Sequence, residues 1–193
     1  MLLRVSVVIL SVVLAVGLLS GCALFDSGPK PVASTYVTLS DSSAGYALLY
    51  ETVSKQKRTN LLSYLKKETP ELKALLERIA ETSRATADEL EELAKGTPPL
   101  NLTATRLPKM ELAARESIEK ETRKEVLESK GVDLEFTMVS SQLAGLNYAA
   151  HLARSLAAVE TSEPRKAFLQ RTDRKYSQLH DQVYKMMYTR YRS

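Results

Sequence analysis

The sequence predicts an all-α domain, an antiparallel up-and-down bundle of four to five helices carried behind an N-terminal segment that is not part of it. Three observations predict this. Past residue 41, glycine occurs only at Gly45, Gly96, Gly131 and Gly145, so long stretches lack the residue that most weakens a helix interior after proline. Apolar residues in that region recur at three- and four-residue spacing, and no run alternates apolar with polar as a half-buried strand would. The breakers leave only short connections, which sets successive helices side by side and antiparallel. The span 42–193 is long enough to bury a core as one domain, and neither a repeat nor a second domain is visible.

The first helix is expected from about Ser42 to Lys66, with Tyr46, Leu49, Tyr50, Val53, Leu61, Leu62 and Leu65 on one side and a kink near Thr59 and Asn60. Thr69-Pro70 reads as an N-cap followed by proline in the first turn. It opens a second helix whose Leu72, Leu75, Leu76, Ile79, Leu90 and Leu93 share a face and which stops at Lys95-Gly96, ahead of Thr97-Pro98-Pro99. A loop over 97–107 follows. Leu107-Pro108 opens a third helix that runs to about Ser129 and is closed by Gly131.

The fourth helix, about Val132 to Val159, is the most apolar. Val139, Leu143, Leu146, Ala150, Ala153 and Ala157 fall on one face, widened by Met138, Ala149, Leu152 and Leu156. Its alanines and Gly145 allow close approach of a neighbour, which makes it the expected central helix. The fifth starts near Ser162-Glu163-Pro164 and runs to the C-terminus with Leu169, Tyr176, Leu179, Val183, Met186 and Met187 as its stripe.

Charge is uneven. From Arg165 to Arg192 eight basic residues face two acidic ones, whereas Glu68 to Lys95 holds eight acidic and four basic. The simpler reading is two faces that complement each other within the bundle. The alternative is a basic surface for anionic headgroups or for an acidic partner protein.

The first residues read as an export signal. Arg4 supplies a short positive start, Val5 to Leu19 is almost wholly apolar, and Ser20 and Gly21 are small. A membrane-spanning helix is the weaker reading, because the run is shorter than the roughly 20 residues a bilayer needs. Residues 1–21 are therefore expected to form a signal peptide. Residues 22–41, with Gly28, Pro29, Pro31 and many Ser and Thr, are expected to form a flexible tether ahead of a bundle domain at 42–193.

Leu19-Ser20-Gly21-Cys22 resembles the lipobox of bacterial lipoproteins and matches each of its positions. The resemblance implies cleavage between Gly21 and Cys22, diacylglycerol on the Cys22 thiol and acylation of the new amine. Cys22 is the only cysteine, so an intramolecular disulfide is excluded and the odd thiol finds a role in acylation. Two or three acyl chains hold a protein on a membrane where one does not. The resemblance further implies a cell-envelope location, and Ala23 after the cysteine leans towards the periplasmic face of the outer membrane rather than the inner membrane. A periplasmic protein is then the expected kind of partner, and nucleic acid is not one despite the net charge of +4.

Motifs of chemistry are sparse. The chain has no Gly-rich phosphate loop, no cysteine cluster and no Gly-x-Ser-x-Gly. Its two histidines, His151 and His180, are preceded at three residues by Tyr148 and Ser177, so the Glu-x-x-His pair of dimetal bundles is missing. One cluster stands out. His180 lies about 20° from Leu169 on the fifth helix. Glu135 and Gln142 fall within the apolar arc of the fourth, and Glu111 and Glu125 lie near Ala114 and Ile118 on the third. His180, Glu135 and Glu111 are candidate ligands for one metal ion or a small polar molecule, since isolated buried charges are costly. The alternative is mutual satisfaction, including a Glu111–Arg115 pair one turn apart. His151 falls off the apolar face. No catalytic residue and no cofactor beyond that possible metal ion are expected, and the chain reads as a non-enzymatic interaction module.

The helical part, over about residues 60–190, resembles ferritin-like periplasmic proteins of unknown function. The resemblance rests on Glu135-Phe136 and on Tyr176-Ser177-Gln178-Leu179-His180. It implies a bundle with a metal or small-ligand site near His180. The chain departs from that pattern in the order of Glu135-Phe136 and near Gly145, where the pattern has a histidine.

Overall fold

Amphipathic periodicity becomes five helices among the described residues of the computed structural model: α1 (Leu39–Gln56), α2 (Pro70–Ala94), α3 (Lys109–Glu128), α4 (Gly131–Val159) and α5 (Glu163–Tyr191). The structure describes residues 39–59 and 69–191, with side chains at 42–59 and 69–190. The expected signal peptide, Cys22 and nearly all of the expected tether lie outside the described residues, as do Leu61, Leu62 and Leu65. The fold is all-helical over the described residues.

Four helices form a square in which each neighbours the next: α1 with α2, α2 with α5, α5 with α4, and α4 with α1. Side-chain pairs fix the directions. Tyr50 reaches Glu91 whereas Gln56 reaches Ser83, so α1 and α2 are antiparallel. Arg171 meets Glu89 and Arg78 meets Gln182, which makes α2 antiparallel to α5. Tyr46 meets Glu160 and Thr59 meets Gln142, so α1 also runs against α4. This is the up-and-down arrangement that short connections impose.

The core follows the expected stripes. Leu72, Leu75, Leu76, Ile79 and Leu90 of α2 are buried, as are Val139, Leu146, Ala150, Ala153 and Ala157 of α4, and Leu169, Tyr176, Leu179 and Val183 of α5. Helix α4 is central, touching α1, α3 and α5. Close packing there depends on two glycines. A Cβ at Gly45 of α1 would stand 2.7 Å from Leu156 Cδ2, and one at Gly145 of α4 would stand 2.6 Å from Gln56 Nε2.

The described structure differs from expectation in three places. α1 starts at Leu39, inside the expected tether, and ends at Gln56 rather than Lys66. There the ladder tightens from Lys57 N–H on the Val53 carbonyl to Arg58 N–H on the Lys55 carbonyl, a three-residue step that terminates the helix. Gly131 does not merely close α3. It takes a left-handed φ of +56° and is the first residue of α4, so that Ser129 and Lys130 alone separate the two helices. Helix α3 itself lies outside the square, against α4. The face carrying Ala114 and Ile118 is exposed, and Val126 is the one buried α3 side chain among the described residues.

The contrasting charge of α2 and α5 meets across their interface. Arg171 pairs with Glu89 at 2.5 Å and Arg190 approaches Glu71 at 3.5 Å. These exposed pairs each contribute about 0–1 kcal/mol. They set the two helices' register more than they hold the fold.

Candidate functional site

The three candidate ligands stand apart. Glu111 is exposed on α3 and accepts from Arg115 Nε at 2.7 Å, the one-turn pairing open to it from the sequence. Glu135 is nearly buried and fully engaged: one oxygen accepts the Thr69 backbone N–H at 3.1 Å and the other an Arg190 N–H at 2.8 Å. His180 sits at the edge of the α5 stripe, 3.4 Å from Asp181, with its ring stacked on Tyr184. It lies ten residues from Arg190, Glu135's partner, or about 15 Å along the helix. Among the described residues no group of three or more His, Cys, Asp or Glu side chains is placed to hold a metal ion. The physical reason is plain. α3 is outside the square, and Arg190 and the α2 terminus already take both Glu135 oxygens. His151 is exposed.

Glu135 acts instead as a cap supplied from another helix. Thr69 has the extended backbone of an N-cap, but its own hydroxyl makes no cap bond and accepts from Arg190 at 2.8 Å. The Glu135 carboxylate takes the Thr69 N–H and places negative charge at the positive end of the α2 dipole.

Buried polar side chains form a chain through the centre. Tyr176 of α5 donates to Ser83 Oγ of α2 at 2.9 Å, and Ser83 lies 3.4 Å from Gln56 Oε1 of α1. Burial pushes the Tyr176 hydroxyl up to about 12, against the lowering effect of Ser83 and Thr86. The chain ends at Gln56 Nε2, a buried donor with no hydrogen-bond partner among the described residues. An unpaired buried N–H costs about 1–3 kcal/mol. Such a group calls for a reason.

Gln56 lines a groove of about 980 Å³ between the end of α1, the outer helix α3 and the middle of α4. That volume matches the upper range of small-molecule sites. On the α4 side it meets Gln142, Gly145 and Tyr148, three residues apart, and Thr59 donates to Gln142 at 3.3 Å. On the α3 side it meets Arg115, Ile118, Thr122 and Val126. Among the described residues, polar ties cross it at two places. Lys55 of α1 binds Glu119 at 3.0 Å, and Arg115 donates to the Tyr148 hydroxyl at 3.2 Å while lying over its ring. Hydrogen bonding from Lys55 holds the Glu119 carboxyl below its usual range, against burial. Burial alone would lower the Lys55 ammonium, but Glu51 and Glu119 raise it.

The groove was not expected from the sequence, although one signal was there. Gln56 follows Tyr46, Leu49 and Val53 at helical spacing, a polar residue in a core stripe. Ser83 and Thr86 interrupt the α2 stripe in the same way. Among the described residues no helix is long and apolar enough to cross a membrane. Comparison with family models, curated proteins and solved structures found no match to this chain.

Proposed function

We propose that this chain is an exported lipoprotein, anchored through lipid on Cys22, whose helical domain works by binding rather than by catalysis. The anchoring rests on the apolar run Val5 to Leu19 and on Leu19-Ser20-Gly21-Cys22. The domain then faces the periplasm, with the outer membrane favoured by Ala23.

The observation that carries the binding role is the groove, floored by a buried amide whose Nε2 has no hydrogen-bond partner among the described residues and roofed by a helix that buries little of itself. A helix held across a cleft by two polar ties, rather than packed into it, leaves room for a guest. Substitution Cys22→Ala is expected to abolish palmitate incorporation and release the chain from the membrane pellet. Retention of both would sink the anchoring. For the groove, Ser141→Cys introduces a thiol at its wall. Among the described residues Ser141 bonds within its own helix, to Met138 and Gln142, so the change is mild. Maleimide is expected to label the introduced thiol slowly in intact envelopes, where the guest is present, and faster in the purified chain. Equal rates would oppose a bound guest.

A further inference from the structure

We infer that the groove takes a single-chain anionic amphiphile, an acyl chain carrying one carboxylate or phosphate; this deepens the binding role proposed above and rests on it. The shape argues for a linear guest. The α3 wall runs from Arg115 through Ile118 and Thr122 to Val126 at spacings of three and four residues. That is one stripe about 16 Å long at 1.5 Å per residue. Ile118 and Leu127 along it are more than half exposed, apolar surface that an acyl chain would cover.

The charge argues for an anionic head. The lining holds four basic side chains, Lys55, Arg58, Arg115 and Arg123, against two carboxylates, Glu51 and Glu119. Glu119 is shared between Lys55 and Arg123, and Glu111 serves Arg115 from outside the lining. Arg58 has no carboxylate within salt-bridge distance among the described residues. A single carboxylate or phosphate would bring the site closer to balance and meet guanidinium geometry.

The floor argues for an acceptor oxygen. Gln56 Nε2 is a donor already removed from water, so an oxygen delivered there gains a hydrogen bond with no further desolvation of the protein. Gly145 keeps the approach open, because any side chain there would occupy the place where Gln56 Nε2 now lies. A fatty acid and a lysophospholipid share this chemistry, and the probes below separate them.

The full chain would be reconstituted in vesicles of phosphatidylethanolamine and phosphatidylglycerol. Three diazirine-bearing probes of equal chain length would be added separately: palmitic acid, a palmitoyl lysophosphatidylglycerol and hexadecanol. After irradiation the crosslinks are mapped by mass spectrometry. One or both anionic probes should label the peptides carrying Ile118 and Val126 at least fivefold more than hexadecanol does. Arg58→Glu combined with Arg123→Glu should bring that ratio near one. Equal labelling by all three probes, or anionic labelling spread evenly along the chain, overturns the inference. The same preparations carrying Ser141→Cys separate the two levels of failure. If maleimide reaches the introduced thiol but no anionic probe labels the groove, the amphiphile is wrong and the binding groove stands. If maleimide does not reach that thiol even in the purified chain with no probe added, the groove is closed and both fall.

Discussion

Arg165, buried at the start of α5, donates to the Leu93 carbonyl at 3.2 Å and also to the Pro98 carbonyl. One guanidinium thus ties α5 to the last turn of α2 and to the loop beyond. A cation at a helix C-terminus also opposes the negative end of the dipole. Arg165→Ala would remove the guanidinium from both carbonyls, leaving the Leu93 carbonyl only the Gly96 N–H at 3.3 Å, and hydrogen bonds to charged groups are each worth about 1.5–3 kcal/mol. The variant is expected to lose about 2–4 kcal/mol of stability, read as a lower urea midpoint at unchanged slope. Arg165→Lys should recover part of it, since both bonds come from the one Nη2 atom and an ammonium also has donors for two carbonyls, but on a shorter side chain.

Tyr46 donates to Glu160 at 2.5 Å across the same end of the bundle. Burial would raise the Glu160 carboxyl. The Tyr46 hydroxyl, the backbone N–H groups of Ser162 and Thr161, and the Arg165 charge outweigh burial and hold it below the usual range. A carboxyl depressed by folding contributes stability that is fully present above its unfolded pKa of about 4.3 and is lost as pH falls through the lower folded value. Burial first, and then Glu160, push the Tyr46 hydroxyl far up. Its contribution is therefore present below the unfolded value near 10 and is lost as pH rises above that. Thermal melts across pH should show both limbs. Glu160→Gln should flatten the acid limb, and Tyr46→Phe should weaken both. An unchanged acid limb in Glu160→Gln would contradict the assignment.

Glu135 serves the opposite end of the bundle, where Arg190 and the Thr69 N–H share it. Loss of an N-cap costs about 1 kcal/mol, and a half-buried ion pair adds to that. Glu135→Ala is expected to cost about 1–2 kcal/mol. Glu135→Gln, which keeps an acceptor for Thr69, should cost less. A double-mutant cycle with Arg190→Ala should show coupling of at least about 0.5 kcal/mol in chemical denaturation, the floor for contacting pairs. No coupling would mean that the two side chains act independently.

The bundle was legible because its signals are local. Thr69-Pro70 and Lys95-Gly96 bracket α2 within a residue, and the alanine-rich face of α4 announces a central helix. The placement of α3 was not legible. Ile118 and Ala114 share a face in the sequence, but whether that face is buried depends on whether α1 and α5 leave room beside α4, and periodicity holds no such information. Glu135 was rightly noticed as a carboxylate among apolar neighbours, yet its partners lie 66 and 55 residues away. The groove was hidden for the same reason. Gln56 signals a buried amide, while the cleft beside it exists only once α1, α3 and α4 are assembled.

Gly131 offers a test of backbone alone. Its φ of +56° lies in the left-handed region, and a Cβ built there meets nothing within 4 Å. Any cost of a side chain is then conformational rather than steric contact with the rest of the fold. Gly131→Ala is expected to destabilise by about 1–2 kcal/mol, the usual penalty of that region for an L-residue. Gly131→Asn should cost less, since asparagine tolerates the left-handed region better than alanine does. Helix α3 leads into the same junction, so the alanine variant should also raise amide exchange in α3 before the four-helix square opens. If alanine and asparagine cost the same, the positive φ is not what holds glycine's place between α3 and α4.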